Sequence, residues 1–149
     1  MTMQTEKTIK SLRFNYYTAF LATLAIIVAF EGGFLHKGAL AAILSADDIY
    51  LLEVASVMIT IALIPIALKS FTRSMKRAAG MGKAKLLKTF GKMSIVRISL
   101  LFAVITVNAF IYYGLNYTGA LYCGLFGYCA LIYSYPTANT LESFTDSNE

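Results

Sequence analysis

Charged residues are scarce in this chain. They make up 14% of its 149 residues, against 58% hydrophobic. A soluble domain carries about a quarter charged residues, so an ordinary water-facing surface is excluded. Histidine is nearly absent: His36 stands alone. One histidine cannot make a bis-histidine haem site, and no cysteine sits at metal-ligand spacing, so no metal and no cofactor are expected. The two cysteines, Cys123 and Cys129, share one apolar run. Six residues apart on a helix, they lie roughly 9 Å apart on different faces, beyond the reach of a disulfide. They read as small packing residues. The motifs G-x-S-x-G, P-loop, C-x-x-C and H-E-x-x-H are all missing, which speaks against hydrolytic, phosphoryl-transfer and redox chemistry. An enzyme would need Glu53, His36 and Glu31 to converge on one pocket, and a non-enzymatic role is expected instead. Acidic residues are missing between Ser70 and Lys92, where Arg73, Lys76, Arg77, Lys83, Lys85, Lys88 and Lys92 all fall.

What is present is apolar run after apolar run. A helix needs about 20 apolar residues to cross a hydrocarbon core of roughly 30 Å. Four such spans are read, at about residues 14–30, 49–68, 93–113 and 115–135. Lys and Arg near span ends favour the cytoplasmic side. With both termini inside, Lys37 is the one basic residue of thirteen left outside. The expected fold is therefore an all-α integral membrane protein. It is a single membrane domain of four transmembrane helices in two hairpins, N-in and C-in, multi-pass in the cell inner membrane. A basic cytoplasmic loop covers 69–92 and a polar tail covers 136–149, its acidic end 146–149 expected to be disordered. The basic start followed by Ala39-Leu40-Ala41 mimics a signal peptide, but the apolar run is long for one, and an uncleaved first span is expected.

Local signals set the boundaries. Glu31-Gly32-Gly33 ends the first span. Ser45-Ala46-Asp47-Asp48 reads as a helix start, with the serine oxygen capping the first turn and two carboxylates at its positive end. The outer segment 38–44 is apolar, and three placements are open to it: flat at the interface, re-entrant, or docked on the bundle. Pro65 is expected to kink the second helix. Gly80-Met81-Gly82 splits the basic block into a helical extension of span two and an amphipathic lead-in to span three. Tyr112 to Tyr117 forms a tight hairpin between spans three and four, and Pro136 stops span four.

Five features are candidates for function. Glu53 lies inside span two, and Asn108 falls at nearly the same depth on span three, so a Glu53–Asn108 hydrogen bond is expected, either as a polar site or as interhelical glue. Arg97, near the inner end of span three, is expected to snorkel to the headgroups. Glu31 and His36 lie at the outer surface. Gly119, Cys123 and Gly127 make a small-residue face at i, i+4 and i+8 that admits a close helix, whether from this chain, another copy or another protein. The seven cations of the basic block face lipid headgroups or a partner. No aromatic platform or binding motif accompanies them, so nucleic acid is not expected. The leading reading is a non-enzymatic accessory or assembly subunit, packing through span four and presenting its basic loop to anionic headgroups or to another protein. The alternative is a small oligomeric transporter or channel with a polar path at Glu53 and Asn108.

Overall fold

The structure, a computed structural model, describes residues 3–146. Five helices follow in order: α1 (Met3–Glu31), α2 (Ala46–Ala79), α3 (Lys83–Leu115), α4 (Thr118–Tyr133) and α5 (Ala138–Asp146). No strand occurs among the described residues. The first three helices are long and apolar enough to cross a membrane. The fourth has 16 residues, about 24 Å at 1.5 Å per residue.

Helix ends follow local chemistry. Gly33 adopts φ 77°, the left-handed conformation that costs glycine nothing. Its N–H donates to the Phe30 carbonyl at 3.3 Å, and Phe34 N–H donates to Ala29 at 3.0 Å, a Schellman closure of α1. The expected cap of α2 is formed: Ser45 Oγ accepts from Asp48 N–H at 3.3 Å. Pro65 lies inside α2 without ending it. Asn116, at φ 54°, terminates α3.

The segment 69–92, read as a basic loop split at Gly80-Met81-Gly82, is helical on both sides of that split: α2 runs on to Ala79 and α3 begins at Lys83, with a turn at 80–82 between them. The 34 residues of α2 extend about 51 Å, well beyond a 30 Å hydrocarbon core. The polar tail carries α5, which docks through Leu141 and Phe144; Asp146, placed in the end expected to be disordered, is instead the last residue of α5, and 147–149 lie outside the described residues. Of the two expected hairpins, α3 and α4 pack against each other across the short connection at 116–117, while the first is not a close pair. α3 is the central helix, in contact with each of the other four, while α1 and α2 meet at most marginally.

The packing divides into two cores. One joins Tyr16, Ala67, Ile98, Leu101, Ile105, Ala130 and Leu131, all within the apolar runs. The other joins Ile9, Leu12, Phe71, Met75, Ala78, Leu86, Phe90 and Leu141, every one of them outside those runs. Leu21, Val28, Leu51, Met58, Leu125 and Phe126 are exposed around the first core, whereas lysines and arginines surround the second. An apolar belt thus carries a separate, charged-surfaced bundle at one end.

Candidate functional site

The basic end is built from the second core outward. Leu86 and Phe90 of α3 face Phe71, Met75 and Ala78 of α2. That burial turns the intervening positions to the outside, and Arg73, Lys76, Arg77, Lys83, Lys85, Lys88 and Lys92 are all exposed. Lys7, Lys10, Arg13 and Lys69 are exposed on the same end. The single ion pair among the described residues is elsewhere, between Lys37 and Glu31 at 2.9 Å.

Arg97 does not snorkel. It is 6% exposed. Its Nη2 donates to the Ser134 carbonyl at 3.0 Å, and its guanidinium carbon lies 3.8 Å over the Phe71 ring. The side chain thereby satisfies a carbonyl at the negative end of α4 and gains a cation–π contact in place of headgroup water.

The expected Glu53–Asn108 bond is not made. Asn108 Nδ2 donates to Thr60 Oγ1 at 2.8 Å and to the Val104 carbonyl at 2.8 Å. The Thr60–Asn108 and Phe71–Arg97 contacts obey one antiparallel register. In that register Glu53, seven residues before Thr60, comes level with Leu115, the last residue of α3. Glu53 is therefore about 10 Å shallower than Asn108, and it is half-buried. Thr60 was legible after all: Glu53, Ser56 and Thr60 recur at helical spacing. Among the described residues, Asn108 Oδ1 and Thr106 Oγ1 are buried without a hydrogen-bond partner. Asn108 and Tyr128 line a cavity of about 130 Å³ between α1, α3 and α4.

The small-residue face is consumed within the chain. Cys123 is buried and Cys129 exposed, both free. A Cβ on Gly127 would lie 2.8 Å from Ile105 Cγ1, and one on Gly124 would meet Asn108, so α3 is the close partner. Gly119 is crowded instead by the ring of Tyr117.

At the opposite end, Glu31 gathers a polar clasp. Lys37 Nζ bonds its Oε2 at 2.9 Å and the Tyr113 hydroxyl donates to its Oε1 at 2.9 Å. The Lys37 ammonium, and then the tyrosine hydroxyl, hold the Glu31 carboxyl below the ordinary value of 4.5. Phe30 stacks on Tyr113 with ring centroids 4.5 Å apart. Of the three placements open to segment 38–44, docking is found. Gly38 N–H donates to the Tyr113 carbonyl at 2.8 Å, Ala41 N–H donates to Gly114 at 3.2 Å, and Leu40 lies against Gly114. His36 is exposed, and no hydrogen bond or ion pair among the described residues joins it or Glu53 to Glu31. No three His, Cys, Asp or Glu side chains gather as a metal-binding group among the described residues.

No family model, curated protein or solved structure matches this chain.

Proposed function

We propose that this chain is a four-span inner-membrane protein with both termini cytoplasmic, acting as a non-enzymatic accessory or assembly subunit. The observation that carries this reading is the basic end, a closed apolar core wrapped in exposed cations. Lipid does not require such a bundle, since a helix leaving the bilayer has no need to pack further. Its rigidity and charge suit docking to an anionic partner or membrane surface. The fourth span is α4 with its flanks, and the clustering of Lys and Arg at one end supports the orientation. Because the Gly119–Cys123–Gly127 face packs inward, the basic end replaces it as the contact surface. The test is purification of the full chain in mild detergent after crosslinking in cells through exposed lysines. A partner joined through Lys83, Lys85 or Lys88 is expected. A strictly monomeric protein with nothing crosslinked to those arms counts decisively against the reading.

A transporter or channel is the second reading. The unpartnered Asn108 oxygen at the 130 Å³ cavity favours it, although Glu53 stands a separate two turns away. It requires Asn108→Leu to change a proton or cation flux in vesicles, and unchanged flux removes it.

A further inference from the structure

A groove of about 780 Å³ lies between α2 and the inner end of α4, lined by Leu68, Lys69, Ser70, Thr72, Arg73, Lys76 and Tyr133. Lys69, Arg73 and Lys76 stand at i, i+4 and i+7, hence on one face of α2. All three are exposed, and no carboxylate lines the groove. Its depth is defined: Leu68 closes the apolar run of α2 and Tyr133 is the last residue of α4. From Lys69 to Lys76 the helix rises about 10 Å, while a headgroup zone is about 5–7 Å thick on each side. Lys69 and Arg73 therefore lie at phosphate level, and Lys76 stands just above it.

Arg97 fixes both walls. Its guanidinium covers Phe71, which sits between Ser70 and Thr72 on one wall, and its Nη2 holds the carbonyl of Ser134, next to Tyr133, on the other. By occupying that carbonyl it also offsets partial negative charge that the end of α4 would set beside an anion. We propose that this groove is a binding site for the headgroup of an anionic phospholipid of the inner leaflet, with Lys69, Arg73 and Lys76 on its phosphate oxygens and Arg97 as a positioning residue. The inference rests on reading the basic end as a cytoplasmic docking surface and gives one part of it a ligand.

The chain has no tryptophan, so Tyr133→Trp places a single fluorophore in the groove. The full-length variant is reconstituted in phosphatidylcholine vesicles doped with phosphatidylglycerol or phosphatidylcholine brominated on the acyl chain. Each exposed cation near an anionic surface contributes about fivefold in affinity. The anionic quencher is therefore expected to outcompete the zwitterionic one by at least about tenfold. Lys69→Gln/Arg73→Gln/Lys76→Gln should bring that ratio to about one, while Lys83→Gln/Lys85→Gln/Lys88→Gln, with the same loss of charge, should preserve it. Equal loss in both triple variants means that general surface potential explains the preference and overturns the site. A change in the Tyr133→Trp emission on adding millimolar glycerol phosphate to pure phosphatidylcholine vesicles, as large as that given by phosphatidylglycerol, means that a free anion suffices and overturns the lipid assignment. A ratio near one in the parent, with a partner still crosslinked to the Lys83–Lys88 arm, sinks the lipid site and leaves the accessory role standing.

Discussion

At the scale of single residues, the polar exceptions in the apolar runs were easy to find and hard to pair. Asn108 and Arg97 stand out in any hydropathy profile, yet their partners Thr60 and Ser134 are 48 and 37 residues away in the chain. Which residue faces which depends on how far α2 and α3 run before the turn at 80–82, and no local pattern fixes that length. The Asn108–Thr60 bond is buried at belt depth, where such bonds contribute about 0.6–2 kcal/mol. A double-mutant cycle of Asn108→Leu and Thr60→Val, followed by unfolding in mixed detergent micelles, is expected to return a coupling in that range. Coupling near zero means that the two side chains do not share a bond. Glu31 gives a pH signature. Its carboxyl is held low by Lys37 and Tyr113, so the folded state binds its proton less readily than the unfolded chain. That contribution is complete above the unfolded value and is lost as pH falls through the lowered folded value. Between about pH 5 and pH 3 the melting temperature should fall more steeply in the parent than in Glu31→Gln. Parallel slopes would disprove the clasp.

At the scale of elements, boundaries with their own chemistry were legible and docked segments were not. Glu31-Gly32-Gly33 and Ser45-Ala46-Asp47-Asp48 carry Schellman and capping signals within a few residues, and both ends fall as expected. The helix α5 is nine residues of mixed polarity, and its identity as a lid on the second core depends on Leu141 and Phe144 meeting residues far back in the chain. Segment 38–44 shows the same limit: its apolar character was plain, but docking rests on the backbone bonds of Gly38 and Ala41 to the end of α3 and on Leu40 against Gly114, contacts no local pattern displays. A Cβ on Gly114 would come 2.5 Å from Leu40 Cδ1. Leu40 Cγ would lie at 2.8 Å and its Cβ at 3.2 Å, so turning the side chain alone does not relieve the contact, and Gly114→Ala should lift the exposed segment off α3 without unfolding the belt. Hydrogen exchange at Gly38 and Ala41 is expected to accelerate by an order of magnitude or more, with the melting temperature nearly unchanged. Retained protection at both amides would show that the loop does not depend on that contact.

At the scale of the whole molecule, the two cores obey different physics. On the proposed membrane reading the solvent around Leu101 and Ile105 is hydrocarbon, so helix association brings no hydrophobic gain there, and close packing with a few polar contacts holds the helices together. Around Phe90 and Met75 the same reading puts water, and burial contributes in the ordinary way. Phe90 is fully buried there, and truncating a core phenylalanine costs about 3–5 kcal/mol. The belt does not share that core, since none of its residues belongs to the cluster around Phe90. Phe90→Ala should therefore open the basic end alone. In lipid nanodiscs, amides of 71–79 and 84–90 are expected to lose protection by two orders of magnitude or more, while those of 98–111 keep theirs. The same variant should weaken any crosslink through the Lys83–Lys88 arm, because the cations would no longer be held on a rigid surface. Simultaneous loss of protection in both segments would mean one cooperative unit, and the basic end would then be an outgrowth of the belt with no stability of its own.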